Sequence, residues 1–370
     1  MDERFAPVPP EAEAGLPAAR TLSGMGLRAL LRRYPVWPVV EFLGRKKVPE
    51  HRDTAWYALG GIVMLFFAIQ VLTGILLMVY YRPSQPWQSV QRIVTEVPFG
   101  AYVRSVHHWS ANLMVLSLFV HLFSTFFMKA YRPPRELTWL TGLGLAGLTL
   151  FFSFSGYLLP WDDLSFFATR VGIGEMEKGP VIGPWLATLL RGGPDVTVDT
   201  IGRFYVFHVT VLPLLVLGLL GVHLLFIQLQ GVSEPDRFAA LPAGRKRYRS
   251  FFGEFLVGEI PIWLLLSGLV VTLAAMLPRG LAVEADVTAA APAGIKPEWY
   301  FLAPYQALRL FPGKLELVGI TLMGIAALSL AVVPFVDRAT PSDTRGRVVT
   351  ALGAVGLVAL VVMTVWGWSS

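Results

Sequence analysis

Seven apolar segments, each long enough to cross a bilayer, constrain this chain of 370 residues more than any other feature. A transmembrane helix needs about 20 consecutive, mostly apolar residues. Apolar residues make up 54% of the chain and charged residues 15%, and the mean hydropathy is +0.58. The sequence therefore predicts an all-α integral membrane protein with seven transmembrane helices. The predicted spans lie at about 57–80, 105–128, 139–159, 205–227, 255–277, 315–336 and 348–368.

The distribution of positive charge predicts the orientation of these spans. If the N-terminus lies inside, the inner segments hold 20 of the 31 lysines and arginines. Cytoplasmic loops carry this excess in membrane proteins, so we expect a cytoplasmic N-terminus and an outer C-terminus in a bacterial plasma membrane. The first 20 residues lack the apolar core of a signal peptide, and Gly24–Val40 is a candidate amphipathic helix on the membrane surface. The net charge of +6 follows this topology and indicates no nucleic-acid partner.

Four of the six histidines form two matched pairs within apolar segments. His107 and His121 are separated by 14 positions, and His208 and His223 by 15. On an α-helix these spacings leave the two side chains within about 40° and about 60° of one face. A single histidine in an apolar helix is usually a buried, hydrogen-bonded residue, but ionisable groups at membrane depth are functional by default. We therefore predict two stacked bis-histidine haem sites, formed by His107 with His208 and by His121 with His223.

Four glycines repeat the same spacing in the first and third spans. Gly60 and Gly74 are 14 positions apart, and so are Gly142 and Gly156. Glycine permits close approach of a backbone or a flat ring. The repeat favours clearance for a porphyrin at the depth of each histidine pair, although small residues also serve ordinary helix packing.

Two loops on the predicted outer side carry further signals. The loop from Pro160 to Gly202 is predicted to hold short helices at about 164–171 and 184–190. The loop from Pro278 to Lys314 contains KPEWYF, in which Glu298 stands among apolar and aromatic residues. Such surroundings raise the pKa of a carboxyl group and favour a general base. The alternative is an interfacial aromatic belt with a solvated glutamate.

These motifs together resemble cytochrome b of the quinol-oxidising cytochrome bc complexes over nearly all of residues 40–370. The resemblance rests on the four histidines, the four glycines, GYLLPW and PEWY. RSVHHWS, YYRP, PRELTW and PVIG are more similar to the chloroplast-type branch, in which two chains carry four and three helices; here the two are fused. The resemblance implies a dihaem four-helix bundle plus three C-terminal helices. The implied divisions are a cytoplasmic segment (1–52), the dihaem domain (53–230), a linker (231–254) and a C-terminal domain (255–370).

The resemblance also implies a Q-cycle, in which quinol is oxidised near the outer face and quinone is reduced near the cytoplasm, with proton translocation. Expected partners are a Rieske-type iron–sulfur protein, a cytochrome c-type subunit, membrane lipid and a second copy in a homodimeric complex. Arg104 and Arg203 match positions near the outer haem, where they could pair with propionates. The resemblance assigns the remaining roles as follows: catalysis to Glu298 and Tyr300, and quinone contacts to Pro297, Trp299, Phe166 and Val171.

Departures from the family pattern concern mainly the inner side. Ala58 stands where the chloroplast-type chain has a cysteine that attaches an extra haem, and the absence of cysteine excludes covalent haem on this chain. Ser124 and Gln228 replace basic residues common in the family, and Asp163 changes the PWDQ or PWGQ motif. Glu254 and Glu259 are open candidates for inner proton donors. Two other functions are considered: a dihaem membrane anchor of a dehydrogenase or hydrogenase, and a non-redox transporter or channel.

Overall fold

Long helices dominate the architecture, because a segment inside a bilayer must satisfy its own backbone polar groups. The computed structural model describes residues 37–292, 294–338 and 344–370. All but the last few positions of the predicted surface helix Gly24–Val40 fall outside the described residues. The first elements are α1 (Trp37–Gly44), β1 (Lys47–Pro49), α2 (Leu59–Met78), α3 (Pro86–Thr95), α4 (Gly100–Phe127) and α5 (Glu136–Leu158).

The chain then forms a helical cap, a fourth long helix and a three-helix C-terminal part. The middle elements are α6 (Asp163–Glu177), α7 (Gly183–Arg191), α8 (Val198–Val206), α9 (Leu212–Gln230), α10 (Asp236–Ala239) and β2 (Tyr248–Ser250). The last elements are α11 (Leu256–Met276), α12 (Trp299–Arg309), α13 (Glu316–Val336) and α14 (Thr344–Ser369). Single turns of 3₁₀-helix lie at Thr54–Ala58, Ala243–Arg245 and Gly313–Leu315.

The predicted number of spans is confirmed. In the part of the chain that the structure describes, seven helical runs are long and apolar enough to cross a membrane: Thr54–Met78, Gly100–Phe127, Glu136–Leu158, Val198–Gln230, Phe251–Met276, Gly313–Val336 and Thr344–Ser369. The second and fourth runs begin several residues before their apolar segments. Helix α2 packs on α4, α5 packs on α9, and α11 packs on α4. The end of this bundle with His107 and His208 is called the His107 end, and the opposite end the His121 end.

A turn of π-helix at Phe207–Val211 joins α8 to α9 and contains His208. Pro213 follows immediately inside α9. Proline has no backbone N–H and its ring clashes with the carbonyl four residues earlier, so the regular α-helical hydrogen bonds are interrupted at this position. Wider turns of this kind recur at functional sites, and this one carries a predicted ligand.

The His107 end is covered by α6 and α7, the two short helices that the sequence predicted. Asp162 starts α6 with a reciprocal capping box to Ser165, and Thr197 starts α8 in the same way with Thr200. Such boxes satisfy backbone donors at helix starts. A buried apolar cluster fastens the cap to the ends of α5 and α8: Leu158, Trp161, Phe166, Phe167, Ile173, Ala187, Leu190, Val196, Ile201 and Phe204.

The C-terminal helices are attached to the other four at the His121 end. Strands β1 and β2 pair antiparallel, with Val48 opposite Arg249, and this joins the segment before α2 to the segment before α11. The Asp337 carboxylate, with a fully buried side chain, accepts hydrogen bonds from Lys129 Nζ (2.8 Å), Tyr131 Oη (2.6 Å) and Arg132 Nη2 (2.8 Å). Two cations and a hydroxyl thereby compensate one buried charge across the two parts.

Candidate functional site

The imidazole rings of His107 and His208 face each other inside the bundle. Their centroids are 6.4 Å apart and their planes differ by 69°. A metal–imidazole bond of about 2.0 Å, as known for zinc, places two rings on opposite sides of one ion with centres about 6.2 Å apart. The observed separation therefore fits one metal ion between the two rings.

Hydroxyl groups orient both rings of this pair. The Thr73 hydroxyl lies 2.8 Å from His107 Nδ1 and donates its proton to Ile69 O at 2.6 Å. The Ser155 hydroxyl lies 3.0 Å from His208 Nδ1 and donates to Phe152 O at 3.0 Å. A hydroxyl has one proton to donate, and when that proton goes to the carbonyl the same oxygen accepts from Nδ1–H. The second nitrogen, Nε2, then keeps a free lone pair for a metal.

At the opposite end, only one of the two histidines has this arrangement. The Thr141 hydroxyl lies 3.0 Å from His223 Nδ1 and donates to Leu137 O at 2.9 Å. The buried Nδ1 of His121 has no hydrogen-bond partner among the described residues. Leu59 precedes Gly60 here, whereas a threonine or serine precedes each of the other three glycines.

Each of the four glycines lies directly against one of these histidines. A Cβ at Gly74 would be 3.4 Å from His107 Cε1, and a Cβ at Gly156 would be 2.5 Å from His208 Cε1. At the other end, a Cβ at Gly60 would be 3.5 Å from His121 Cε1 and one at Gly142 would be 3.2 Å from His223 Cε1. A larger residue would occupy space beside the rings. The paired histidine nitrogens and the glycine beside each ring fit a flat iron porphyrin at each end.

A cavity of about 410 Å³ at the His107 end joins the first histidine pair to the PEWY segment. Its lining includes both rings, Gly74 and Gly156, and also Glu298 and Tyr300. The carboxylate sits at the N-terminus of α12, which begins at Trp299. One cavity therefore contains a pair of candidate metal ligands and a candidate proton acceptor.

The surroundings of Glu298 act on its ionisation in opposite directions. Burial raises the pKa of its carboxyl group, the Arg279 guanidinium at 3.8 Å lowers it, and Asp162 raises it further. The result is a pKa above the usual glutamate value, as the aromatic surroundings predicted. Burial likewise raises the pKa of the Tyr300 hydroxyl, and neighbouring Glu298 adds to this. Tyr300 therefore stays protonated and can hydrogen-bond to a ligand.

The structure does not bring every predicted quinone contact to this cavity. Phe166 is 1% exposed and packs against Trp161 and Phe167, so the neighbouring Ser165 lines the cavity instead. Val171 lies on the exposed face of α6. Trp299 points away and donates through Nε1 to Asn112 Oδ1 at 2.8 Å, and Asn112 does line the cavity. Pro297 precedes Glu298 in the same segment but is not part of the lining.

The two arginines predicted near the outer haem bind backbone carbonyls. Arg104 lines the cavity and donates through Nη1 to Arg279 O at 2.7 Å and Gly280 O at 3.0 Å. Arg203 donates to Leu189 O at 3.1 Å and packs against Gly192 in the cap. Each side chain keeps further N–H groups, so the predicted propionate contacts stay predictions.

A second cavity, of about 680 Å³, opens at the His121 end and is strongly cationic. Gln228, which replaces a basic family residue, lines it and donates to Phe42 O at 2.5 Å. Burial lowers the pKa of Lys46 to about 8, and nearby Glu259 opposes that shift. The basic residues of the lining are Arg45, Lys46, Lys47 and Arg135.

Two further inner residues have defined places. Ala58, where the chloroplast-type cysteine would stand, is buried with Val48 and Phe255. Glu259 is 5% exposed and lies against Gly61, the residue after the glycine that faces His121.

Sequence reasoning missed several residues of the site. Arg279, His108 and Asn112 line the cavity with Glu298. The hydroxyl partners of the histidines were also missed, although the sequence contained a signal: Thr-Gly or Ser-Gly occurs at three of the four repeated glycines.

Two family models match successive parts of the chain: Cytochrome b/b6/petB over residues 45–231, and Cytochrome b(C-terminal)/b6/petD over residues 284–370. The chain belongs to the cytochrome b family. It is 44% identical over 338 residues to the cytochrome bc complex cytochrome b subunit of Chlorobaculum thiosulfatiphilum, covering 90% of this chain and 78% of that protein.

A relative of the first part of the chain and a solved structure also match. Cytochrome b6 of Heliobacterium mobile is 42% identical over 199 residues, covering 53% of this chain and 93% of that protein. A solved structure titled "Hyperthermophilic respiratory Complex III" has a chain that matches with a TM-score of 0.79 and 26% identity, covering 94% of this chain and 91% of that one. This cytochrome b therefore carries both family parts in one polypeptide, as the sequence predicted.

Membership of this family settles the broad class of function. The chain is a haem-binding, electron-transporting integral membrane protein of the bc- and b6f-type complexes. The dehydrogenase or hydrogenase anchor and the non-redox transporter, which the sequence left as alternatives, are not favoured.

Proposed function

We propose that this chain oxidises quinol at the His107 end and carries two non-covalent b haems, ligated by His107 with His208 and by His121 with His223. The observation that carries the proposal is the single cavity shared by the first histidine pair, Glu298 and Tyr300. Electron acceptor and proton acceptor would thus lie beside the same bound quinol. The glycine at each histidine leaves space for the flat face of a porphyrin.

The chain's own residues prepare the metal ligands. The hydroxyls of Thr73, Ser155 and Thr141 lie at Nδ1 of three of the histidines, which favours the tautomer with an unprotonated Nε2. This fixes ring orientation and raises ligand basicity before iron is present. When bound, each haem supplies a one-electron acceptor and donor part-way across the membrane.

Quinol oxidation also releases two protons, and Glu298 is placed to accept one. Its carboxylate, with a pKa raised by burial, is a base better matched to neutral pH than a solvated glutamate. Tyr300, with a buried and protonated hydroxyl, would position the ring by a hydrogen bond. The proton would leave past Arg279, which is 3.8 Å from the carboxylate and is the more exposed of the two side chains.

The charge distribution supports an orientation for these steps. With the N-terminus in the cytoplasm, the His107 end and Glu298 face outward and the cationic cavity faces the cytoplasm. Quinone reduction would take place near that inner cavity, so the overall reaction is a Q-cycle that moves protons outward. Glu254 and Glu259 remain the candidate inner proton donors.

The proposed setting is a multisubunit complex in a bacterial plasma membrane. Relatives belong to cytochrome bc complexes. The proposed partners are a Rieske-type iron–sulfur protein that takes one electron from quinol, a cytochrome c-type subunit and a second copy of the chain.

Glu298→Gln tests this function in the assembled complex. The substitution keeps the side-chain shape and removes the base, so quinol-driven haem reduction through the outer site should slow by about 10²–10⁴-fold. Haem content should stay unchanged. Glu284→Gln is the matched control, since this exposed carboxylate of the same loop accepts a side-chain hydrogen bond from Gln88 at 2.8 Å and lies outside the cavity lining. Wild-type rates for Glu298→Gln across the whole pH range would show that Glu298 is not the proton acceptor.

A further inference from the structure

The segment that follows α11 is tied firmly to α4, the helix that carries His107. Trp109 Nε1 donates to Leu277 O at 2.8 Å, and the backbone N–H of Arg279 donates to Ser105 Oγ at 3.0 Å. Arg104 closes the arrangement by donating to the carbonyls of Arg279 and Gly280. The Arg279 backbone therefore has a fixed position relative to the first histidine pair.

The Arg279 side chain returns from this anchor to the carboxylate of Glu298. Its Nη2 is 3.8 Å from Glu298 Oε1, and both residues line the same cavity. Arg279 has 37% of its side chain exposed and Glu298 only 20%. The guanidinium is thus the more exposed member of a pair whose carboxylate is largely buried.

Other ionisable groups face this pair from several elements. Asp162 at the start of α6 acts electrostatically on Glu298, and Glu298 in turn acts on Tyr157 of α5 and Tyr300 of α12. Arg104 and His108, both on α4, act electrostatically with Arg279. Asp162 disfavours the ionised form of Glu298, and a tyrosine carries no positive charge that could favour it. Arg279 is therefore the cation at contact distance that counteracts the effect of burial on the ionisation of Glu298.

We infer that Arg279 is a positioning residue for Glu298, whose guanidinium favours the ionised carboxylate and directs its released proton toward the exposed side of the cavity. This inference rests on the proposed function of Glu298. The quinol O–H bond breaks and its proton passes to the carboxylate, which becomes neutral. The carboxyl O–H then gives that proton to water on the Arg279 side, and the ion pair re-forms. The guanidinium stays protonated throughout, because arginine does not lose its proton in proteins.

The inference gives a specific prediction for pH. The active base is the ionised carboxylate, so the rate of quinol-driven haem reduction rises with pH through the pKa of Glu298. A nearby cation lowers a carboxyl pKa by about 1–3 units, and the partial exposure of Arg279 places this pair near the lower value. Removing the positive charge of Arg279 should therefore shift this rise in rate to higher pH, by about one pH unit. At pH values above this shifted rise, the rate of the variant should return to the wild-type rate.

The test compares Arg279→Gln, Arg279→Lys and the control Arg92→Gln in the intact complex. Arg92 is an exposed arginine of α3 that pairs with Glu96 outside the cavity. Two measurements are made on each: the pH profile of haem reduction, and the pH midpoint of the Glu298 carboxyl band in infrared spectra of the oxidised complex. The band is identified by its loss in Glu298→Gln. Both pH midpoints should be higher than in the wild type in Arg279→Gln. They should be close to the wild-type values in Arg279→Lys and unchanged in Arg92→Gln.

The outcomes separate this inference from the function on which it rests. If Glu298→Gln is slow but the pH midpoints of Arg279→Gln do not move, the proposed role of Arg279 is wrong. The proposal that Glu298 accepts the proton would then still hold. A rate reduced equally at every pH, with an unmoved infrared midpoint, would make Arg279 a structural residue of the loop and would also overturn the inference. If Glu298→Gln keeps its rate, the proposed function fails first.

Discussion

Thr141 offers the most direct test of how this chain prepares a metal ligand. Its hydroxyl accepts from His223 Nδ1 at 3.0 Å and donates to Leu137 O at 2.9 Å. In Thr141→Val the side chain keeps nearly the same shape but loses the acceptor. The change therefore removes one hydrogen bond to the ring and leaves the proposed iron-binding nitrogen untouched.

Two independent estimates give the magnitude. A hydrogen bond contributes about 0.5–1.5 kcal/mol when its loss leaves another acceptor near the donor, here the backbone of Thr138. Loss of a hydrogen-bond partner behind a metal ligand lowers metal affinity by about 10–100-fold, which corresponds to about 1.4–2.7 kcal/mol. We expect the haem at the His121 end to bind about 10–100-fold more weakly. The less basic imidazole should also stabilise oxidised iron less, and a tenfold loss confined to the oxidised form raises the midpoint potential by about 59 mV.

The assay is a spectroscopic redox titration combined with haem quantification on purified complex. Thr141→Ser keeps the hydroxyl and should retain the wild-type potential. Thr321→Val is the matched control, because this threonine lies on α13, far from the histidines in the chain, and its hydroxyl donates to the backbone carbonyl of Leu317. An unchanged potential and full haem content in Thr141→Val would refute the idea that the hydroxyl sets the ligand's properties.

Three further substitutions test other parts of the arrangement. Gly156→Leu should lose or distort the haem at the His107 end, since its Cβ would lie 2.5 Å from His208, whereas Gly147→Leu on the same helix faces open space and should keep both spectra. His223→Leu should remove only the haem at the His121 end, and two intact haems there would contradict the proposed pairing. Asp337→Asn should lower the thermal unfolding temperature, because it leaves two largely buried cations without their carboxylate, at a cost of about 3–5 kcal/mol in folding free energy. Since hydrogen bonds from Lys129, Tyr131 and Arg132 outweigh burial and lower the pKa of Asp337, the wild type should lose this contribution as pH falls through that pKa, and the variant should not.

Sequence patterns predicted the spans well because a bilayer imposes one strong requirement on their composition. The number of helices and the depths of the histidines and glycines follow from hydropathy and helical spacing alone. The helix ends were predicted less well. Helix α4 begins at Gly100 and the fourth run at Val198, because helices continue into the headgroup region where residues are no longer apolar.

Features that depend on distant contacts could not be read from the sequence. The carboxylate of Asp337 bonds Lys129, which is 208 positions away along the chain. The π-helical turn around His208 had a local signal in Pro213, but a proline in a membrane span has several possible outcomes. Arg279 stands 19 positions before Glu298, and only the hydrogen bonds from α4 bring its side chain back to the carboxylate.

The residue before each repeated glycine accounts for a difference between the two ends of the bundle. At the His107 end both rings donate to a hydroxyl, on Thr73 and Ser155. At the His121 end only His223 does, because Leu59 occupies the equivalent place and the Ser124 hydroxyl bonds the carbonyl of His121 itself. Hydrogen-bonded imidazoles are the more basic ligands and favour oxidised iron. The haem at the His121 end should therefore have the higher midpoint potential, and electrons from quinol oxidised beside Glu298 would flow downhill toward it, in the direction that the proposed Q-cycle requires.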